Sequence, residues 1–190
     1  KRLKELKYKY LFYPSRKELD LFNFTKTLNY IKKKKPHYVF LAAAQVGGVK
    51  ANNEKRAEFI SKNLLIQHTV IHSSYLSGVK NLLFIGSSCV YPKTIKRPIS
   101  EKDLLSGYLE QTNEPFAVSK IAGIKMCESY SKQYNLKYFT LMPCNIYGPG
   151  DNYNLNTSHF LPAMLKKVHL LSKNEGKILN LWGNGKPKRE

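Results

Sequence analysis

Apolar residues in this chain occur in two alternating patterns: short continuous runs, and longer stretches in which they recur every third or fourth position. The runs are Tyr38 to Ala44, Leu82 to Ile85 and Lys137 to Pro143, and they read as strands, Leu82 to Ile85 as a short parallel one buried on both faces. The periodic stretches read as helices. Asn23 is an N-cap for a helix carrying Phe24, Leu28 and Ile31 on one stripe and ending near Lys35. A long helix from Asn53 to about Ser77 presents Phe59, Leu64, Ile66, Val70 and Ile71 to the core. A second, Thr112 to Tyr134, carries Phe116, Lys120, Met126 and Tyr130, and a third covers Phe160 to Leu171. Residues 1–9 resemble the last turns of a helix, residues 10–13 a short aromatic strand ended by Pro14, residues 93–111 an irregular polar insertion, and Ile178 to Trp182 a last strand. Strands alternating with helices predict an α/β fold built on a doubly wound parallel sheet.

That sheet directs attention to one stretch. After Leu82 to Ile85, Gly86 lets the backbone turn sharply, and two hydroxyls and a thiol follow at once in Ser87, Ser88 and Cys89. Open α/β sheets bind ligands beyond the carboxyl ends of their strands, so this is the candidate site. Two other strand ends offer weaker signals. Residues 15–20 form a basic loop whose cations suit the phosphate of an adenosine ribose, and residues 42–48, rich in Ala and Gly, allow close approach of a ligand or of a packed helix. His68 and His72 have helical metal-binding spacing, but no carboxylate or thiol is placed to complete a shell, so no metal is expected.

Composition narrows the setting. The 190 residues are 42% apolar, enough for a real core, and the formal net charge is +19. Lysines are spread over every expected helix, and the dense run Lys32 to Lys35 lies at a helix end, where cations complement the dipole; this is a solvated basic surface rather than a nucleic-acid motif. Three cysteines without CxxC spacing indicate neither a disulfide framework nor a zinc site and suit a reducing, cytoplasmic setting. No run approaches a membrane span. Lys at position 1 and the polar final residues lead to the expectation of a truncated segment.

Three motifs then carry a resemblance: Gly-Ser-Ser-Cys-Val-Tyr-Pro, Asn-Glu-Pro-Phe-Ala-Val-Ser-Lys and Pro-Cys-Asn-Ile-Tyr-Gly-Pro. Together they resemble the extended short-chain dehydrogenase/reductase (NAD-dependent epimerase/dehydratase) family of nucleotide-sugar enzymes. With Ala-Ala-Ala-Gln-Val-Gly-Gly-Val-Lys-Ala-Asn-Asn, Lys-Ile-Ala-Gly-Ile-Lys-Met-Cys-Glu-Ser-Tyr and Thr157-Ser158-His159, the chain is similar within that group to the enzymes that make GDP-L-fucose. The resemblance implies a Rossmann-like NADP-binding domain over residues 1–150, incomplete at its start, and the beginning of a substrate domain over 151–190. It implies NADP(H) as cofactor, a GDP-linked keto sugar as substrate, inversion at C3 and C5 followed by reduction at C4, and a homodimer built on the two long helices.

Residue by residue, the resemblance matches Ser87 to a hydroxyl that polarises the sugar ketone, and Cys89 with His159 to a proton-transfer pair. Lys120 is matched to a catalytic lysine that contacts the nicotinamide ribose and lowers the pKa of the neighbouring acid. Arg16, Lys17, Glu18, Leu19, Asp20 and Leu21 are matched to the adenosine-phosphate loop. Ile85, Gly86, Ser87 and Ser88, with Pro143, Cys144, Asn145, Ile146 and His159, are matched to the cofactor lining. Lys167, Trp182 and Arg189 are matched to GDP-sugar contacts.

The chain departs from the family pattern in three places. Phe116 stands where the pattern has the tyrosine that gives a proton to the C4 oxygen, and losing a general acid costs about a hundred- to ten-thousand-fold in rate. The glycine-rich strand and turn that cradle a pyrophosphate are not present, and Lys167 replaces an arginine fork with a point charge. Two readings follow: an enzyme of this group with impaired reduction, or an inactive remnant or non-catalytic nucleotide-sugar binder.

Overall fold

A computed structural model describes residues 2–173 together with 178, 179 and 181. The strands are β1 (Tyr38–Leu41), β2 (Asn81–Ile85) and β3 (Lys137–Leu141), parallel and in the order β1-β2-β3. Register aligns Leu41 with Phe84, and Phe84 with Thr140. The helices are α1 (Arg2–Glu5), α2 (Phe24–Lys34), α3 (Val49–Glu54), α4 (Arg56–Leu76), α5 (Glu114–Tyr134) and α6 (Phe160–Ser172). The α/β arrangement on a parallel sheet expected from the alternation, Rossmann-like as the resemblance implied, is therefore present.

Because neighbours in a parallel ladder point to the same side, the register divides the strand residues into two faces. Val39, Leu41, Leu82, Phe84 and Tyr138 lie on the face covered by α4 and α5, and most of them are fully buried. Tyr38, Phe40, Phe139 and Leu141 lie on the other face and are exposed. Burial on both faces, expected of Leu82 to Ile85, is complete on the face of Leu82 and Phe84, while Leu83 and Ile85 on the other are half-buried.

The two long helices pack on each other as well as on the sheet. Gly123 makes this possible: a Cβ there would stand 2.6 Å from the Phe84 ring and 2.7 Å from Gln67 Oε1. Leu64 is not in the core as the spacing predicted; it is exposed, and Asn63 and Gln67 turn inward instead. Hydrogen bonds explain the exchange. Asn63 Oδ1 accepts from the Gln45 N–H at 2.8 Å, its Nδ2 donates to Gln45 O at 3.0 Å, and Gln67 Nε2 donates to Ser119 O at 3.0 Å. These bonds pair both ends of the Asn63 amide and the nitrogen of the Gln67 amide, and tie α4 to the loop after β1 and to α5.

Several boundaries also move. Strand β1 ends at Leu41 rather than Ala44, where the chain leaves the ladder toward Asn63. The first long helix starts at Arg56, after the separate α3 and a non-helical Lys55 (φ −117°, ψ 40°). Residues 10–13 form no strand. Their rings are engaged by cations at the surface, with Lys34 Nζ 4.9 Å above Phe12 and Lys4 Nζ 4.6 Å above Tyr13. Between this segment and the free edge of β1 lies a groove of about 1940 Å³. Of the strand expected at 178–182, residues 180 and 182 lie outside the described residues, and residues 178, 179 and 181 are not in a strand.

Candidate functional site

Strand β2 delivers the chain to Gly86, whose N–H donates to Leu141 O at 2.7 Å; a Cβ on Gly86 would lie 3.0 Å from that same oxygen. Two residues on, the Ser88 N–H donates to Pro143 O at 3.0 Å. The loops after β2 and β3 are thus zipped together, bringing Ile85, Gly86 and Ser88 beside Pro143 as expected for one lining. The zip needs the small residue at 86, since any side chain would push the β3 loop away.

Beyond Gly86 the chain enters a single 3₁₀ turn, Ser88–Val90, anchored by the fully buried Val90. Ser87 caps it, its Oγ accepting the Cys89 N–H at 3.4 Å. Cys89 is half-buried. Burial pushes its thiol above the ordinary cysteine range, and a hydrogen bond from Ser87 and the charge of Lys120 pull back against that rise.

Lys120 enters the same space from α5. The residue is 3% exposed, and its Nζ donates to Ile85 O at 2.7 Å, 4.7 Å from the Phe84 ring centroid and 5.7 Å from that of Phe116. Burial brings its ammonium down to about 8, with the Cys89 thiolate acting in the opposite direction. This is a buried lysine able to exchange its proton near neutral pH. One turn earlier, Phe116 packs edge-on against Phe59 with centroids 6.3 Å apart, a wholly apolar contact.

The segment bearing His159 docks elsewhere on the sheet end. The Gly48 N–H donates to Thr157 O at 3.2 Å, and a Cβ on Gly48 would be 2.5 Å from Ser158 O. His159 itself begins α6, is exposed, and makes no hydrogen bond to Cys89. Cys89 therefore lies in the turn after β2, whereas His159 lies in the segment that follows β3 and docks on the β1 loop at Gly48, with no hydrogen bond between the two.

The predicted adenosine-phosphate loop is in the groove beside β1. Arg16, Leu19, Asp20 and Leu21 line it, together with Ala42, Ala43, Ala44 and Gln45. Arg16 and Lys17 are exposed, whereas Leu19 is buried and Leu21 packs on the core. The acidic members have local partners: Glu18 Oε2 accepts the Ser15 N–H at 2.7 Å and Asp20 Oδ1 accepts the Phe22 N–H at 3.0 Å. Beyond Pro143, the residues Cys144, Asn145 and Ile146 are exposed, and Lys167 is half-buried on α6. Trp182 and Arg189 lie outside the described residues. His72 hydrogen-bonds the Tyr130 hydroxyl through Nδ1 at 2.7 Å and stacks on Phe24, and so joins an aromatic seam.

Sequence reasoning missed the residues that hold these loops. Asn63 fixes Gln45, and Asn52 Nδ2 donates to Gly47 O at 2.6 Å and Gly48 O at 3.1 Å. The available signal was an amide at each end of an i, i+4 pair, Asn63 and Gln67, interrupting an otherwise apolar face.

Comparison with known proteins agrees with this fold. The profile of the NAD dependent epimerase/dehydratase family matches residues 1–190. A GDP-L-fucose synthase of Sinorhizobium fredii is 47% identical over 175 residues, 92% of this chain and 56% of that protein. Among solved structures, a GDP-6-OMe-4-keto-L-xylo-heptose reductase of C. jejuni superposes with a TM-score of 0.86 at 42% identity, covering 92% of this chain and 51% of that one. A GDP-L-fucose synthetase of Naegleria fowleri bound to NADP gives a TM-score of 0.86 at 27% identity, covering 99% and 62%. The chain spans somewhat more than half the length of the curated relatives it matches.

Proposed function

This chain belongs to the NAD dependent epimerase/dehydratase family, and we propose that it is the greater part of the cofactor domain, with the start of the substrate domain, of an NADPH-dependent enzyme that converts GDP-4-keto-6-deoxy-D-mannose to GDP-L-fucose. The observation that carries the reading is the union of Ser87, Cys89 and Lys120 around the zipped loops after β2 and β3, on motifs similar throughout to those of GDP-L-fucose synthases.

The residues fit a phosphorylated dinucleotide. Arg16 offers an exposed guanidinium at one end of the groove, residues 42–44 leave room along it, and the bare Gly86 keeps the β2 turn narrow. NADPH bound there supplies a hydride to the sugar C4. The chain's own residues do the rest. The Ser87 hydroxyl donates to the ketone oxygen, which acidifies the neighbouring C–H bonds. Cys89 serves as the base for one of those protons, its thiolate favoured by Lys120 and disfavoured by burial. His159 serves the opposite face once α6 and its loop carry it over bound sugar. The long helices α4 and α5 form the surface on which two copies pair.

The test is hydrogen exchange, which needs no cofactor. Incubated with GDP-4-keto-6-deoxymannose in D2O, the chain exchanges the C3 and C5 hydrogens, followed by NMR, and Cys89→Ala slows the exchange at least roughly a hundredfold. A chain without exchange is a non-catalytic binder or a remnant, and the enzyme reading is then wrong.

A further inference from the structure

The site holds a proton donor whose role the absence of a hydroxyl at 116 leaves open. Phe116 has no proton to give: its ring packs edge-on against Phe59 and lies 5.7 Å from the Lys120 ammonium. Lys120 is 3% exposed and makes one hydrogen bond, to Ile85 O, so two of its three N–H bonds have no protein acceptor among the described residues. A buried ammonium with two unused donors is costly unless a ligand or water takes them. The groups facing it leave little else to titrate: from β2 come Phe84 and the Ile85 carbonyl, from α5 itself Phe116, and from the 3₁₀ turn Cys89, the titratable group that interacts with it electrostatically.

We propose that Lys120 is the acid that protonates the ketone oxygen in this chain, taking the part that a hydroxyl at position 116 would play. The inference rests on the function proposed above. In enolisation, a base removes the proton beside the ketone, the C–H electron pair becomes the C=C bond, the carbonyl π pair moves to oxygen, and that oxygen takes a proton from the Lys120 ammonium. The lysine is left neutral until the reverse step or solvent returns the proton. In reduction, hydride would reach the carbon from a reduced nicotinamide and Lys120 would give the proton to oxygen, producing an alcohol. An ammonium already brought down to about 8 by burial is far better suited to this than an ordinary lysine.

The exchange assay in D2O tests it with Lys120→Met, Phe116→Tyr and the double variant, each checked for folding by near-UV circular dichroism. Lys120→Met slows exchange roughly a hundredfold or more, and adding Phe116→Tyr to it restores at least about tenfold, because the new phenol supplies the proton next door. A purely structural lysine would not be rescued by a neighbouring hydroxyl. Exchange that is unchanged in Lys120→Met, or lost there without rescue, overturns the assignment while leaving the proposed function standing. Silence in the unsubstituted chain and in Phe116→Tyr alike overturns the proposed function, and this assignment falls with it.

Discussion

The two faces of the sheet have nearly the same apolar character in sequence and opposite fates in the fold. On one, Leu41, Leu82, Phe84 and Tyr138 lie under α4 and α5, and Phe84 is 0% exposed. On the other, Phe40 is 58% exposed and Phe139 62%. The contrast teaches that an apolar strand residue states a demand for cover, while the helices decide which demand is met. Helices α2, α4 and α5 pack as one layer, so their whole contribution goes to one face. The candidate chemistry follows the same asymmetry: Lys120 comes from the covering layer, reaches past the Phe84 ring, and ends on the last carbonyl of β2.

The sharpest way to break the comparison is to remove the centre of the covered face. Phe84→Ala deletes a ring that touches Gly123 and supports the Lys120 ammonium, and costs about 3–5 kcal/mol of unfolding free energy, read from urea titration. The same variant releases Lys120, so its candidate chemistry falls with stability. Next in size is Gly123→Ala. The added methyl meets the Phe84 ring at 2.6 Å where neither partner has space to retreat, and overpacking of this kind costs about 1–3 kcal/mol. A melting temperature equal to that of the unsubstituted chain would mean that α5 sits farther from β2 than described.

These two residues also mark what the sequence made legible. The strands and long helices were visible because runs and 3.6-residue periods are local properties, and the β2 turn was visible because Gly, Ser, Ser and Cys follow one another directly. What stayed hidden depends on partners distant in sequence. Leu64 satisfies the apolar spacing as well as its neighbours do, yet Asn63 takes the inward place because Gln45 offers it a donor and an acceptor. Residues 10–13 have strand composition, but composition does not supply a ladder partner. For the candidate site, Ser87 and Cys89 are together because they are adjacent in the chain. Their union with Lys120 and Pro143 needed the tertiary fold, as did the docking of the segment before His159 on Gly48.

A smaller effect concerns the loop that seats Leu104 and Leu109 on the covered side. Asp103 is buried and takes both Arg97 guanidinium nitrogens, at 2.5 and 2.9 Å, and the Ser100 N–H at 2.8 Å. These contacts, Arg97 first, hold its carboxyl at about 2. A carboxylate depressed in the folded state contributes stability fully above its unfolded value near 3.9, and that contribution is lost as pH falls through about 2. Between pH 5 and pH 2 the loop over residues 93–111 therefore becomes more sensitive to an acid-active protease, and Arg97→Ala moves that sensitivity to higher pH. A cleavage rate independent of Arg97 would show that the clamp does not hold the loop.

The smallest change expected is on the open face. Phe139 points away from α4 and α5 and is 62% exposed, so Phe139→Ala removes little buried area and costs less than about 1 kcal/mol in the titration that reads Phe84→Ala. The pair of measurements turns the comparison into a number, because the two phenylalanines belong to adjacent strands and differ chiefly in which side they face. A loss at Phe139 as large as that at Phe84 would mean that something covers this face in solution. A loss independent of protein concentration would then assign the cover to the chain itself, and one that shrinks on dilution would assign it to a second copy, since dilution removes a bimolecular contact from the unsubstituted chain as well.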